Sequence, residues 1–292
     1  MRTPLSLLAL GLSLLSAPEA MALSEFGIEG MGVVSTKANE AQATIAPDGK
    51  RIVWASDRSG GAGGWDLWQA VLRDGRWQDP TPLPFNTAGD DVDPFFSHDG
   101  AWLYFASNHA GGRGGFDLYA VMIRADGSFG TVLSMPVTVN TAADERRPAV
   151  RAGDRTLLFA RNGKGTQGGY DLFTATAQGR GFDSATPLPK PVNSAADELG
   201  GDWLGNDGAL AVTRVVDGHS QVWVVGCDYR QPAAPLALSF NTADGQTGAP
   251  VVDASKPSEM VVAGQARSPK AGGLDLYRLR APGGDCRRGA AD

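Results

Sequence analysis

Residues 114–119 read GGFDLY, and the phrase recurs as GGWDLW (63–68), GGYDLF (168–173) and GGLDLY (272–277). Its aspartates are Asp66, Asp117, Asp171 and Asp275, separated by 51, 54 and 104 residues. The last gap is twice the others, which places a degenerate copy near residue 223. SQVWVVG (220–226) fills that place: it keeps the alternating apolar pattern of a strand and lacks the glycines and the aspartate. The phrase therefore belongs to a five-copy repeat, and a repeat has to be read before anything else about the fold.

The period extends on both sides of the phrase. PDGKRIVWAS (47–56), HDGAWLYFAS (98–107), AGDRTLLFAR (152–161) and NDGALAVTR (206–214) are each a turn followed by a period-two strand. Before them stand FNTAGDDVDP (85–94), VNTAADERRP (139–148), VNSAADELGG (192–201) and FNTADGQTG (240–248). An aromatic (Trp77, Phe129 or Phe182) follows the glycine phrase. Each unit thus holds four short strands. A period near fifty with four strands predicts an all-β, five-bladed β-propeller. The last copy ends after its third strand, LDLYRLR (274–280), and the N-terminus supplies the remainder: Phe26 precedes Ser35 by the same nine residues that separate Trp77 from Asn86. The N-terminal strand is expected to complete the last blade and to close the ring, which removes the open sheet edges.

Within the 292 residues, 1–22 read as a secretory signal peptide. Arg2 precedes an apolar run from Leu5 to Leu15 that is too short to span a bilayer, and small residues follow it. The propeller is expected over 23–281 and a tail over 282–292. No cysteine follows the signal directly, which disfavours a lipid anchor, and no later stretch reads as a membrane span. The chain is then periplasmic or secreted, without membrane insertion. A net charge of −6 and the absence of a basic run exclude nucleic acid as a partner. An exported setting permits a disulfide between Cys227 and Cys286 that ties the tail to the body; two unrelated thiols are the alternative.

Two uses compete for the repeated acids. The phrase aspartates fit local acceptors for loop N–H groups, with the glycines supplying positive φ, better than they fit ion ligands, because chemistry seldom needs the same acid in every blade. The NTAxDE acids, among them Asp91, Glu145 and Glu198, precede the innermost strands. They either ring one channel mouth, where a cation or a basic partner would bind, or cap turns and pair with Arg or Ser of adjacent blades; recurrence favours the second use. Positions that break the repeat are stronger candidates for a specific role. In the register of Asp93 the other copies carry Gln42, Arg147 and Gly200, and Trp203 follows in the next copy. Asp91, Asp93, Glu145, Arg147, Glu198 and Trp203 form the expected rim for a partner. An open acidic pocket with an exposed Trp203 would suit a glycan, and a flat rim a protein.

The segment NTAGDDVDPFFSHDGAWLYFASNHAGGRGGFDLY (86–119) resembles the WD-repeat-like propeller repeat of TolB and of exported proteins linked to OmpA-type peptidoglycan-binding domains. The resemblance runs from about Phe26 to Leu279. It implies an exported platform for protein contacts at the cell envelope. The chain is expected to lack both TolB's separate N-terminal α/β domain and an OmpA-like segment after the last blade. Enzyme readings have less support. No GxSxG occurs, and His98, His109 and His219 lack ligand-like spacing. Five-bladed propellers do include glycosidases, which need two carboxylates about 5–10 Å apart; Asp91, Asp93, Glu145 and Glu198 would be the source of such a pair. The expected function is a non-catalytic interaction module for an envelope protein or peptide, with no cofactor beyond a cation at the acidic mouth. A glycan-binding or glycan-cleaving propeller is the alternative.

Overall fold

The computed structural model describes residues 25–283 apart from 154, 180, 206 and 231; the expected signal segment and Cys286 lie outside the described residues. The strands form five four-stranded antiparallel blades, the third carrying a short extra strand. The first contains Glu40–Ile45, Arg51–Ser56, Asp66–Arg73 and Arg76–Pro82, the second Asp91–Phe96, Trp102–Ser107, Asp117–Ile123 and Phe129–Ser134. The third has Glu145–Val150, Thr156–Asn162 and Tyr170–Gln178, and its outer edge is split into Gly181–Phe182 and Thr186–Pro187. The fourth has Asp197–Leu204, Ala209–Val216, His219–Val225 and Ala234–Pro235. The fifth combines Gly248–Val252, Glu259–Gly264 and Asp275–Arg280 with Glu25–Ile28 from the N-terminus. The first strands of successive blades contact one another around the whole ring, fifth to first included, and surround the channel. The ring closes as the sequence predicts: Gly27 pairs with Arg278 and Ile28 with Tyr277.

The repeated phrases are the joints between blades. Each NTA-type asparagine lays its amide along the backbone of the leucine in the preceding blade's phrase, and so completes a two-bond pair like a strand neighbour. Asn140 Oδ1 accepts from Leu118 N–H at 2.9 Å and its Nδ2 donates to Leu118 C=O at 2.9 Å. Asn86 does the same on Leu67, Asn193 on Leu172, and Asn241 on Val222 in the degenerate copy. Ser35 replaces the amide at the closing joint, on Leu276. The first acid of each pair adds a second clamp: Asp90 accepts from Trp65 N–H, Asp144 from Phe116, Asp197 from Tyr170, and Asn39 from Leu274 at the closure.

This joint explains the paired glycines, and the reason differs from the expected one. None of the eight phrase glycines has a positive φ; they are needed for close approach. A Cβ on Gly114 would lie 1.8 Å from the Ala143 carbonyl oxygen, and one on Gly115 would lie 2.2 Å from Asp144 Oδ1. Gly63, Gly168 and Gly272 face the next blade in the same way. The phrase aspartates do serve the loop: Asp117 Oδ2 accepts from Arg113 and Gly114 N–H, and Asp66, Asp171 and Asp275 repeat the pattern. All four are buried, as is the leucine that follows each of them.

At the closing seam, Arg278 gathers Glu29 at 2.5 Å, Asp253 at 2.7 Å and Glu259 at 2.6 Å, and Trp77 Nε1 donates to Glu29 at 2.6 Å. Glu29, Trp77, Asp253 and Arg278 border a cleft of about 850 Å³ between the first and fifth blades. Cys227 is disulfide-bonded, while its expected partner Cys286 lies outside the described residues. No helix among the described residues is long and apolar enough to cross a membrane.

Among the described residues, one deeply buried inner-strand carboxyl has no ion pair. Asp202 accepts from Val252 N–H of the fifth blade at 2.8 Å and from Trp203 N–H at 2.7 Å, and burial pushes its pKa up to about 7.

Two outcomes follow from these joints. Asn140→Ala leaves the buried Leu118 N–H and C=O unpaired, each worth about 1–3 kcal/mol, so thermal unfolding should shift down by roughly 5–10 °C for a domain of this size. The raised pKa of Asp202 favours its protonated form in the fold. The stability it contributes is complete below the unfolded value of about 4 and is lost as pH rises through about 7. Urea titrations between pH 4 and 8 should show that fall in the parent chain, and Asp202→Asn, which cannot ionise, should show a flatter profile.

Candidate binding site at the channel mouth

Each inner strand breaks register at the same point near its first residue: between Ala41 and Ala43, Val92 and Phe95, Arg146 and Ala149, Glu198 and Gly201, and Gly248 and Val251. A bulge of this kind re-aims the side chain it carries. At four of the five bulges the backbone is left-handed: Asp93 (φ 58°), Arg147 (φ 51°), Gly200 (φ 123°) and Ala249 (φ 51°). The three non-glycine residues sit where L side chains are strained, and such strain persists only where the surroundings enforce it. The bulged side chains reach forward to the next blade. Gln42 Nε2 donates to Pro94 C=O at 3.1 Å. Asp93 Oδ2 accepts from Arg146 Nε at 2.8 Å and from Arg147 N–H at 3.3 Å.

Arg147 spans three blades. Its Nε stands 3.7 Å from Asp93 Oδ1, and its Nη1 donates to Thr213 Oγ1 at 3.1 Å. Thr213 Oγ1 also accepts from Ala249 N–H at 2.9 Å, and so ties the fourth blade to the fifth bulge. A Cβ on Gly200 would lie 2.5 Å from Arg147 Cβ, so the arginine occupies the space that a side chain there would need. The two departures from the repeat, arginine in the third copy and glycine in the fourth, are complementary. Arg146 lies 4.3 Å over the Phe116 ring. Burial lowers the Arg147 pKa, Asp93 opposes this, and Arg146 adds repulsion; for Arg146, burial also lowers the value, but Asp93 together with Tyr170 and Asp144 holds it above its ordinary one. Burial and the bond from its hydroxyl to Asp144 push Tyr170 up to about 12.

Of the six expected rim residues, the structure brings Asp93 and Arg147 together and places the other four elsewhere. Asp91, Glu145 and Glu198 are fully buried and committed to the turn before them. Glu145 takes Thr141 N–H and Oγ1–H, and Glu198 takes the same groups of Ser194; Asp91 takes both from Thr87. Arg161 reaches Glu145 at 2.9 Å and Arg214 reaches Glu198 at 2.8 Å, each from the second strand of its own blade and not from the adjacent blade. Trp203 stands at the far end of its inner strand, 7% exposed, beneath the Arg151 guanidinium at 4.8 Å. An exposed tryptophan beside an acidic pocket is therefore not the arrangement found. The mouth carries two arginines against Asp93, and among the described residues no group of three or more His, Cys, Asp or Glu is placed to hold a metal ion.

Beside Arg147 opens a cavity of about 460 Å³ bordered by the fourth, fifth and first blades. Trp65, Leu199, Val215 and Leu274 supply apolar wall, and Gln246 and Gln265 supply amides. The sequence reading missed Arg146, Thr213 and Trp65. The adjacent Arg146-Arg147 pair was a visible signal, since no other copy has two cations there. Thr213 was not, because its role depends on which residue faces it across a blade boundary.

No protein-family model matches the chain, and no curated protein sequence matches it. Among solved structures, it is similar to an endo-arabinase from Bacteroides thetaiotaomicron at 12% identity and a TM-score of 0.56, over 87% of this chain and 96% of that one. A TolB-type protein from Agrobacterium tumefaciens is similar at 13% identity and a TM-score of 0.51, over 85% and 84%. TolB from Acinetobacter baumannii, at 14% identity and a TM-score of 0.49, is matched over 84% of this chain, which spans 55% of its length. At these identities the likeness is one of fold, a β-propeller shared with TolB-like proteins and with glycoside hydrolases.

Proposed function

We propose that the chain is an exported, non-catalytic propeller that receives a protein or peptide partner at the channel mouth. The observation that carries this reading is the use already made of the acids there. Glycoside hydrolysis needs a pair of carboxylates free to meet a sugar on both sides of the scissile bond. Asp91, Glu145 and Glu198 are buried under their own turns, and Asp93 is held between two arginines. What faces the cavity is one guanidinium, apolar wall and side-chain amides, a mixture suited to a peptide.

Site-specific photo-crosslinking tests the reading. A crosslinker at Gln265, exposed at the mouth, should capture a discrete partner from an envelope extract, and one at Leu133, exposed on the outer edge of the second blade, should not. Capture at Leu133 alone would overturn the assignment of the mouth. Release of reducing sugar from a polysaccharide panel that includes arabinan would overturn the non-catalytic reading.

A further inference from the structure

Two arginines at the mouth share one carboxylate within ion-pair distance. Arg146 and Arg147 share Asp93, and no other carboxylate among the described residues lies within ion-pair distance of either. Arg146 has the tighter bond, at 2.8 Å against 3.7 Å, so Arg147 is the less satisfied of the two. Its side chain is 18% exposed, and its Nη2 makes no hydrogen bond among the described residues. A largely desolvated cation without a full partner is costly to keep. Here it is kept by a strained backbone, a threonine that fixes the guanidinium and a glycine that makes room for it. A site built in this way is preorganised for an anion, and the planar fork selects a carboxylate over a point acceptor.

The cavity beside it narrows the choice of anion. The same cavity is lined by Leu199, Val215, Ala249 and Leu274, which suit an aliphatic side chain, and by a single indole, Trp65. A uronate would leave its ring hydroxyls against that aliphatic wall. Gln265 stands at the same cavity with an amide able to meet a peptide backbone, while Gln246 beside it accepts from Ser220 Oγ–H and donates to Gly218 C=O. A volume of about 460 Å³ suits a short peptide end and not a folded domain. We infer that Arg147 and the cavity beside it bind the free C-terminal carboxylate of a partner chain whose last residue is aliphatic. This rests on the peptide-partner reading above and adds the end of the partner that enters.

The test uses the full chain and two pools of hexapeptides, random at the first five positions and Leu or Val at the sixth, one pool with a free carboxylate and one amidated. Titration calorimetry should show the free-acid pool binding at least about tenfold more tightly, as expected for hydrogen bonds to a charged group. Arg147→Lys, which keeps the charge and removes the fork, should bring the free-acid pool down to the amidated one, with circular dichroism unchanged. Val215→Trp narrows the cavity without touching the cluster and should weaken the free-acid pool as well, which guards against an Arg147 variant that fails to fold. Equal affinity of the two pools, binding by neither, or preferential binding of oligogalacturonate would overturn the inference. If the mouth crosslinks a partner through an internal segment, the peptide-partner reading survives and this one does not.

Discussion

The fold depends on an asparagine that imitates a strand. Apolar packing between propeller blades is strong but has no direction, so it does not fix how far one sheet slides along the next. The amide of Asn86, Asn140, Asn193 or Asn241 forms two bonds to the N–H and C=O of one residue of the preceding blade and fixes that distance. Everything near it follows. The glycines are small because the next loop must come within reach. The phrase aspartates hold the glycine loop in shape, and the first acid of each pair clamps the loop's exit. The turn glutamates are buried because they fold the asparagine's own segment back on itself, and burial raises their pKa values despite the arginines that face two of them at under 3 Å.

Much of this was legible in the sequence because a repeat writes each constraint several times. The spacing of GGFDLY gave the blade count, and the incomplete last copy gave the closure, since an N-terminal strand had to go where a strand was missing. Period-two patterning then placed the strands. What stayed illegible was directional. A carboxylate in four of the five copies says that something needs an acid, and it does not say whether the acid faces the channel or its own turn. Asp91, Glu145 and Glu198 turn inward because the Thr or Ser four residues earlier offers both N–H and hydroxyl. Trp203 was misplaced for a related reason: five residues separate it from Glu198, and at an extended rise of about 3.3 Å per residue that carries it to the other end of the strand.

The departures from the repeat hold one another in place. Arg147 requires glycine at 200 and finds Thr213 opposite; Asp93 requires the left-handed bulge that presents it to two arginines. Independent drift would leave one such change without its counterpart. Their agreement across three blades marks the cluster as a unit placed on a scaffold that otherwise repeats, and it separates the mouth from the closing seam, where Arg278 has carboxylates in excess and is already satisfied.

The closing strand also sets an order of events. Ser35 meets Leu276, a partner 241 positions away, and Gln42, Asp93 and Arg147 each lean on a blade that follows them in the chain. The earliest strand therefore waits, unpaired, while four blades are made. A topology so rich in distant contacts folds slowly and leaves a sheet edge open meanwhile. For a chain that emerges N-terminus first, the ring is a device that withholds its finished state until the last blade has arrived, and a truncated product is left with an unsealed edge that proteases and chaperones can recognise.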